Sequence, residues 1–395
     1  WLKLADCLGP GAWLLDVAMA MTETFDIFDA DEEDDLSTAL DLAMRRLEAT
    51  KNSGSKAEAV ALLQVARLQV LRGNGYKAID NIEVAFDLCR SLRERTGEAS
   101  AQILLGMAHV CNRDPEDARR PLTDALRLCQ STGSKKLEAL VRATQFSVHA
   151  AMGSFDVAFD VALLAQEIYQ HLGDHKGEVK MCHNMVALHK EVNELSEAFN
   201  KASSALSIAR TQSRDRLLEA RCLAVVADVH LEMGQTQEAQ YRSRDAQEIF
   251  SELRDKKGEA GVLHTWMKAQ AAENKPSQAQ DTCYEIVDLF RNGGDKAEEA
   301  KWLMEAARLH LRYNQPSEAA RVAGMAQALF TQLMKNVEAE TAGELIKTAK
   351  TEELSDIIRG VLHETRHERH QQEFVIAPGL DRDIQAQLMK LAGMT

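Results

Sequence analysis

Three groups of residues in this chain have the types and spacing to do chemistry. His363 and His367 flank Glu364 in the pattern H-E-x-x-H. On a helix, two imidazoles four residues apart share a face and can grip zinc, with the Glu as general base. The surroundings argue against that use. Arg366 stands between the two ligands, and Glu368, Arg369 and His370 continue a solvated helix instead of an active-site floor. No second H-x-x-G-x-x-H follows, although Glu373, Asp381 and Asp383 lie downstream as carboxylates. A zinc-dependent hydrolase is therefore the weakest of the readings, and adventitious surface metal binding by His363 and His367 explains the pair better. A second group opens like a calcium loop, with Asp29 and Asp31 at its first and third places. Asp34 occupies the place where the loop needs Gly, and Leu40 the place where it needs a bidentate Glu, so a solvated acidic loop is expected. The third group is a column: Gln69, His109, His149, His189, His230, Gln270 and His310 recur every 40 or 41 residues. Helices stacked about 10 Å apart would keep such imidazoles too far apart to share an ion, so bonding to backbone or to a neighbouring helix is expected. There is no Walker-type phosphate loop, no Gly-rich dinucleotide turn and no nucleophile elbow, so neither a cofactor nor an enzymatic role is expected.

The column belongs to a larger order that must position it. Glu58, Glu98, Glu138, Glu178, Glu219, Glu259, Glu299 and Glu338 form a ladder with steps of 40, 40, 40, 41, 40, 40 and 39 residues. With each ladder Glu as origin, offset 20 gives Ala78, Ala118, Ala158, Ala198, Ala239, Ala279 and Ala319. Offset 27 gives Ala85, Ala125, Ala165, Ala205, Ala246, Ile286 and Ala326, and offset 30 is Leu or Ile throughout. These spacings lie on one face of one helix, where small residues let a neighbouring axis approach and the Leu or Ile fills the space between units. Offset 15 reads Gly73, Arg113, Gly153, Asn193, Gly234, Asn274 and Asn314, types that tolerate the left-handed end of a helix except at Arg113, where Pro115 supplies the stop. Each unit is then helix A of about four turns, a tight turn, helix B of about five turns and a short return.

The small residues at offsets 8, 20 and 27 resemble the tetratricopeptide repeat (TPR). Gly106 is the clearest at offset 8, and Ala66, Ala227 and Ala307 fit, whereas Phe146, Val186 and Met267 depart. The 40-residue period is similar to the long repeats of kinesin light chains, Pins-type adaptors and some bacterial regulators. The resemblance implies an all-α, right-handed α-solenoid of about seven repeats with helical caps. The expected divisions are an acidic segment and capping helix over 1–54, the solenoid with seven repeats and a half repeat over 55–350, a polar capping helix over 351–373, and a tail over 374–395. Ser37 to Ala49 is the expected first cap. An eighth helix A spans Val337 to Ala349, followed by a separate polar helix from Glu352 to Gln372. Ile384, Leu388 and Leu391 stripe a last short helix after Pro378-Gly379.

The chain has 395 residues, 45% hydrophobic and 27% charged, with net charge −14, which argues against general binding to nucleic acid or anionic membrane. Seven scattered cysteines without a C-x-x-C imply a reducing intracellular compartment such as the cytoplasm. No apolar run reaches a membrane-spanning length. The sequence starts at Trp1, as expected of a fragment or a processed chain.

The resemblance implies that helix A lines a concave groove, at offsets 2, 5, 9, 12 and 13. These give a more apolar set in units one and two (Val60, Leu63, Arg67, Val70, Ser100, Ile103, Met107, Val110) and a more basic set in units five to seven. The candidate partner-binding residues are Arg221, His264, Lys268, Lys301, Met304, Arg308 and Arg312. The expected function is a non-enzymatic scaffold or adaptor that holds proteins or peptides, including ones with acidic segments, as part of a larger assembly. The alternative is the ligand- or peptide-sensing region of a longer signalling protein. The Asn that recurs in helix A of the kinesin light-chain and Pins-type groups is matched only by Asn184 at offset 6.

Overall fold

A computed structural model of the chain describes residues 36–368. Asp29 and Asp31 of the acidic loop, and the tail helix with Ile384, Leu388 and Leu391, lie outside the described residues. Among the described residues there are sixteen α-helices and no strands. The first, α1 (Leu36–Thr50), spans the stretch Ser37 to Ala49; its Leu40 and Ala43 pack with Val65 of α2. Seven helix pairs follow. They are α2 (Lys56–Leu71) with α3 (Gly75–Ser91), α4 (Arg95–Cys111) with α5 (Arg119–Thr132), and α6 (Lys135–Ala151) with α7 (Phe155–Leu172). Next come α8 (His175–Glu191) with α9 (Leu195–Ile208), and α10 (Arg216–Glu232) with α11 (Thr236–Leu253). The last two pairs are α12 (Lys256–Ala272) with α13 (Pro276–Gly293), and α14 (Lys296–Arg312) with α15 (Pro316–Gln332). The final helix, α16, runs from Asn336 to Glu368. The fold is thus the expected all-α helical-repeat solenoid. The chain divides into two compact units at Ile249 and Phe250, inside α11. No helix among the described residues is long and apolar enough to cross a membrane.

Two left-handed columns punctuate the chain. Every residue at offset 15 has positive φ, from 56° at Asn274 to 77° at Gly73, and Arg113 adopts 66° like the rest. The amide at offset 16 donates to the carbonyl at offset 11 in all seven turns, as from Asn74 to Gln69 (2.8 Å) and from Lys275 to Gln270 (3.0 Å). That is the six-to-one bond of a Schellman stop. The second column closes helix B and was not foreseen: Arg93, Gly133, Gly173, Arg214, Arg254, Gly294 and Met334 all have positive φ. Four of these seven are neither Gly nor Asn, so residue type alone does not announce the turn. The residue after it often caps the next helix A. Asp174 accepts from the Gly177 amide (2.9 Å) and Asp255 from the Gly258 amide (2.9 Å). The single 41-residue step of the ladder, from Glu178 to Glu219, is absorbed at the end of α9, where Ala209–Ser213 widens into a π turn.

Burial follows the small-residue columns. All seven residues at offset 20 and all seven at offset 27 are 0% exposed. The expected offset-30 residue is buried at two junctions, Ile208 (7% exposed) and Ile249 (5%), and only half-buried at the other five, among them Leu88, Leu128 and Ile168. The residue one place later, at offset 31, is buried at all seven: Cys89, Cys129, Tyr169, Ala209, Phe250, Phe290 and Phe330. Volumes compensate across four of these junctions. At two of the four junctions with an aromatic at offset 31 the next helix A opposes it with Gly, Tyr169 with Gly177 and Phe250 with Gly258; the corresponding residues after Phe290 and Phe330 are Glu298 and Val337. At two of the three junctions with a small residue there a leucine fills the space, Cys129 with Leu137 and Ala209 with Leu218, whereas Cys89 has Gly97 at the corresponding place. At those four junctions volume is traded across the pair, as close packing requires.

The expected break between Ala349 and Glu352 is not there. α16 is one 33-residue helix running through the anticipated boundary at 350. The stretch KTAKTEEL contains no Gly, Pro or Asn, and a shift towards polar composition does not stop a helix.

Candidate functional site

The histidine column turns out to be a set of joints. His230 Nδ1–H donates to Gln235 Oε1 (2.6 Å), His310 Nδ1–H to Gln315 Oε1 (2.6 Å) and His189 Nδ1–H to Glu194 Oε2 (2.9 Å). Each acceptor stands five residues on, at the start of the following helix B, so the imidazole ties its own turn. The ring also meets helix B of the preceding pair. His189 stacks on Phe159 (4.3 Å between centroids), His230 tilts against Phe199 (4.9 Å), and His310 Nε2 accepts from the Tyr284 hydroxyl (2.8 Å). Gln270 and Thr282 share a bond of 2.9 Å, and Asn81 Nδ2 donates to Gln69 Oε1 (3.0 Å), so the two glutamines make comparable ties within their own pairs. His149 differs: its Nδ1 is sealed from solvent without a hydrogen-bond partner, and burial, followed by the Arg119 charge, lowers its pKa from the usual 6.5.

The ladder glutamates serve the same junctions. Glu58 accepts from the Asn52 (2.8 Å) and Gly54 (2.9 Å) amides at the start of α2. Glu219 takes Arg210 Nε (2.8 Å) from the π turn, and Glu299 takes Arg291 Nε (2.8 Å) from the end of α13. α16 passes through His363 and His367, but their side chains lie outside the described residues. Among the described residues no group of three His, Cys, Asp or Glu could hold a metal ion. The six cysteines among them are free thiols; burial raises the pKa of each, foremost Cys222 and Cys283, to about 12.

The expected basic groove residues do not form one set. Arg221 is half-buried on α10 in the first unit, where Lys190 of α8 bridges to Asp228 and to Glu232 (2.8 Å) of α10. The rest lie in the second unit. Lys268 on α12, and Lys301, Arg308 and Arg312 on α14, are exposed. Lys301 pairs with Glu298, and Arg308 with Glu305 (3.1 Å), each three residues back on its own helix. Lys268 and Arg312 have no ion-pair partner among the described residues. His264 is half-buried and lies edge-on to Trp302 at 5.2 Å. Met304 corrects the expectation: it is 7% exposed, packed with Leu303, Ala307 and Phe330. Five facing offsets describe too wide an arc. In α14, which packs against helix B on both sides, offset 5 turns into the core while offsets 2, 9 and 13 stay outside. The same correction holds for the apolar N-terminal set. Leu63, Val70, Ser100, Ile103 and Met107 are buried, because α2, α4 and α6 pack directly one on the next. α13 carries the opposite charge: Asp281, Glu285 and Asp288, with Glu259 of α12, line an open depression beside Tyr284.

No protein-family model matches the sequence, and no curated protein matches it. Solved structures do. A signal-transduction ATPase of the STAND class with a tetratricopeptide repeat sensor, from Pyrococcus horikoshii, superposes with a TM-score of 0.54 at 15% identity over 88% of this chain and 53% of that one. Aspartyl phosphate phosphatase F from Bacillus subtilis gives 0.49 at 12% identity, over 86% and 92% of the two chains. The apo quorum sensor NprR from B. thuringiensis gives 0.44 at 12%, over 80% and 99%. At such identities the likeness concerns the fold, which is of the TPR type.

Proposed function

We propose that this chain is a non-enzymatic scaffold or adaptor that binds extended, carboxylate-bearing segments of partner proteins or peptides along the exposed helix-A faces of its second unit, as a subunit of a larger assembly. The observation that carries the reading is the outward stripe of Lys268, Arg308 and Arg312 at offsets 9, 9 and 13, on a chain of net charge −14. Two of the three cations have no ion pair to break before a partner's carboxylate arrives. Charge complementarity of this kind raises association rates and selects partners more than it raises affinity. Exposed pairs such as Arg308 with Glu305 are worth about 0–1 kcal/mol, so exchange to a partner is cheap. A solenoid suits the task because each unit adds surface to one continuous face. The free thiols fit a reducing intracellular compartment.

The partner-binding mode differs from that of the kinesin light-chain and Pins-type adaptors suggested by the 40-residue period. Asn184, the one matching Asn, is 8% exposed with its Nδ2 on Met181 Sδ (3.9 Å), so it is buried away from any ligand backbone. A second reading, the sensing region of a longer signalling protein, is favoured by the STAND-class neighbour, whose repeat sensor belongs to a chain that the match covers for only 53%. Affinity purification of the wild-type chain and of Lys268→Glu/Arg308→Glu tests the first reading. Loss of the co-purifying partner, with binding that weakens as salt rises, is expected. A partner retained in full by the charge-reversed chain would remove the groove from consideration.

A further inference from the structure

The first helix of the array is less well buried than the helices it resembles. α1 follows the pattern of the helices B. Leu36, Leu40, Ala43 and Leu47 match Ala78, Ile82, Ala85 and Cys89 of α3, each 42 residues on, and so take offsets 20, 24, 27 and 31. The packing has the same register. Leu40 clusters with Val65 and Leu68 of α2, at offsets 7 and 10, as Ala202 of α9 clusters with Val226 and Val229 of α10. In all seven pairs these four core positions are at most 3% exposed, and offsets 20 and 27 are 0%. In α1, Leu40 is 8% and Ala43 5% exposed, and Leu36 and Leu47 are only half-buried.

The difference lies in the neighbours. α3, α5, α7, α9, α13 and α15 each lie between the helix A of their own pair and the next one. Among the described residues α1 packs along α2 alone. The flank without a described neighbour carries offset 23, where Asn81 bonds Gln69 and Thr282 bonds Gln270 of their own helix A; in α1 that position is Ala39. The chain ahead of α1 has the pattern such a flank requires. Residues 12–28 follow Gly9-Pro10-Gly11 and contain neither Gly nor Pro, a run of 17 that ends where the acidic stretch begins. Helix A has 16 residues in the first pair and 17 in the other six. Leu14, Ala18, Met21, Phe25 and Phe28 are spaced 4, 3, 4 and 3, the spacing of one helix face, and Asp16 and Glu23 fall opposite. Residues 29–35 then lead to α1, a join as long as 112–118 between α4 and α5.

We propose that the open flank of α1 is a docking surface for residues 12–28 of the same chain, which lie outside the described residues, and that α1 is the second member of an eighth helix pair instead of a cap. The apolar stripe from Leu14 to Phe28 seats against Leu36, Ala39 and Ala43. Alanines at 39 and 43 let the two axes approach closely, as the small residues at offsets 20 and 27 do elsewhere. Asp16 and Glu23 stay in water. The docking is independent of the stripe of cations in the second unit, so charge reversal at Lys268 and Arg308 leaves it untouched.

The test is hydrogen–deuterium exchange on the full chain, on Met21→Asp/Phe25→Asp and on the opposite-face control Asp16→Asn/Glu23→Gln. In wild type the amides of α1 are expected to exchange as slowly as those of α3. The stripe variant should speed exchange in α1 by about tenfold or more while α6 keeps its protection, because an element that loses its cover opens locally. The control should match wild type. A synthetic peptide of residues 11–30, added to the stripe variant, should restore slow exchange in α1. Light scattering identifies the source of the segment, and a monomer whose α1 stays protected on dilution is expected. Three results would overturn the proposal: fast exchange of α1 in wild type, which needs no variant to fold; equal exchange of α1 in wild type and the stripe variant; or protection that disappears as a dimer dissociates, which would assign the flank to a second copy.

Discussion

Replacing Gly177 with Ala should destabilise the first unit, although Ala is the better helix former. A Cβ built on Gly177 would lie 2.4 Å from Cδ1 and 2.6 Å from Cε1 of Tyr169. The ring cannot swing aside, since Tyr169 is 2% exposed and packed among Ala165, Met181 and Cys182. Overpacking of this kind costs about 1–3 kcal/mol. Ala would return at most about 1 kcal/mol of helix propensity, and less in a first turn. The net loss is therefore about 1–2 kcal/mol. The stronger form of the test exploits the neighbouring junction, where Cys129 faces Leu137. Tyr169→Cys alone opens a cavity, by about 3–5 kcal/mol, and Gly177→Leu alone overfills the same space. Together they copy the Cys129 and Leu137 solution, so the double variant should be more stable than the sum of the single effects by about 2–3 kcal/mol. Urea denaturation followed by circular dichroism, with the four chains of the cycle compared at 25 °C, gives the coupling. Strict additivity would refute the claim that volume is traded across these two junctions; so would a Gly177→Ala chain at least as stable as wild type.

Other consequences are simpler to read. Arg113→Gly and Met334→Gly should each stabilise by about 0.5–1 kcal/mol, since removing a left-handed side-chain clash of about 1–2 kcal/mol outweighs the extra unfolded-state entropy of Gly; lower denaturation midpoints would contradict the assigned turns. His149 should make stability fall on acidification. Its folded pKa is depressed below 6.5, so the unfolded chain binds the proton more readily, and the contribution present above that value is lost as pH drops through the folded pKa. His149→Gln should flatten the pH dependence of the urea midpoint between about pH 7 and 5, and an unchanged slope would exclude His149 as its source.

The parts of the fold that were legible in the sequence are those carried by residue type. The alanines at offsets 20 and 27 are small because two axes meet there, and Gly or Asn at offset 15 marks a left-handed stop. The second left-handed column was hidden because Arg93, Arg214, Arg254 and Met334 adopt a conformation that their types do not favour. Offset 31 was hidden for a related reason: Cys, Tyr, Ala and Phe all occur there, so no residue type marks it, and at some junctions its volume is traded with a residue of the next pair, as at Tyr169 with Gly177. Of the candidate residues, the cations of α12 and α14 are exposed, whereas Met304 is core, because the arc assumed for helix A was too wide. Arg67 was visible as a groove position; that its Nε is sealed from solvent without a hydrogen-bond partner among the described residues required the three-dimensional arrangement.

The π turn at Ala209–Ser213 shows how such a chain can change length without losing its phase. One surplus residue is swallowed where a helix is already ending, and Glu219, Ala239 and Ala246 resume the pattern as though nothing had been added. Single insertions at these exits are local events, whereas the same insertion in mid-helix would rotate every following side chain by about 100° and turn the buried face outward. The exits are thus the places where lineages of this architecture can drift in length, and where a designer could lengthen or trim a repeat while leaving the binding faces aligned.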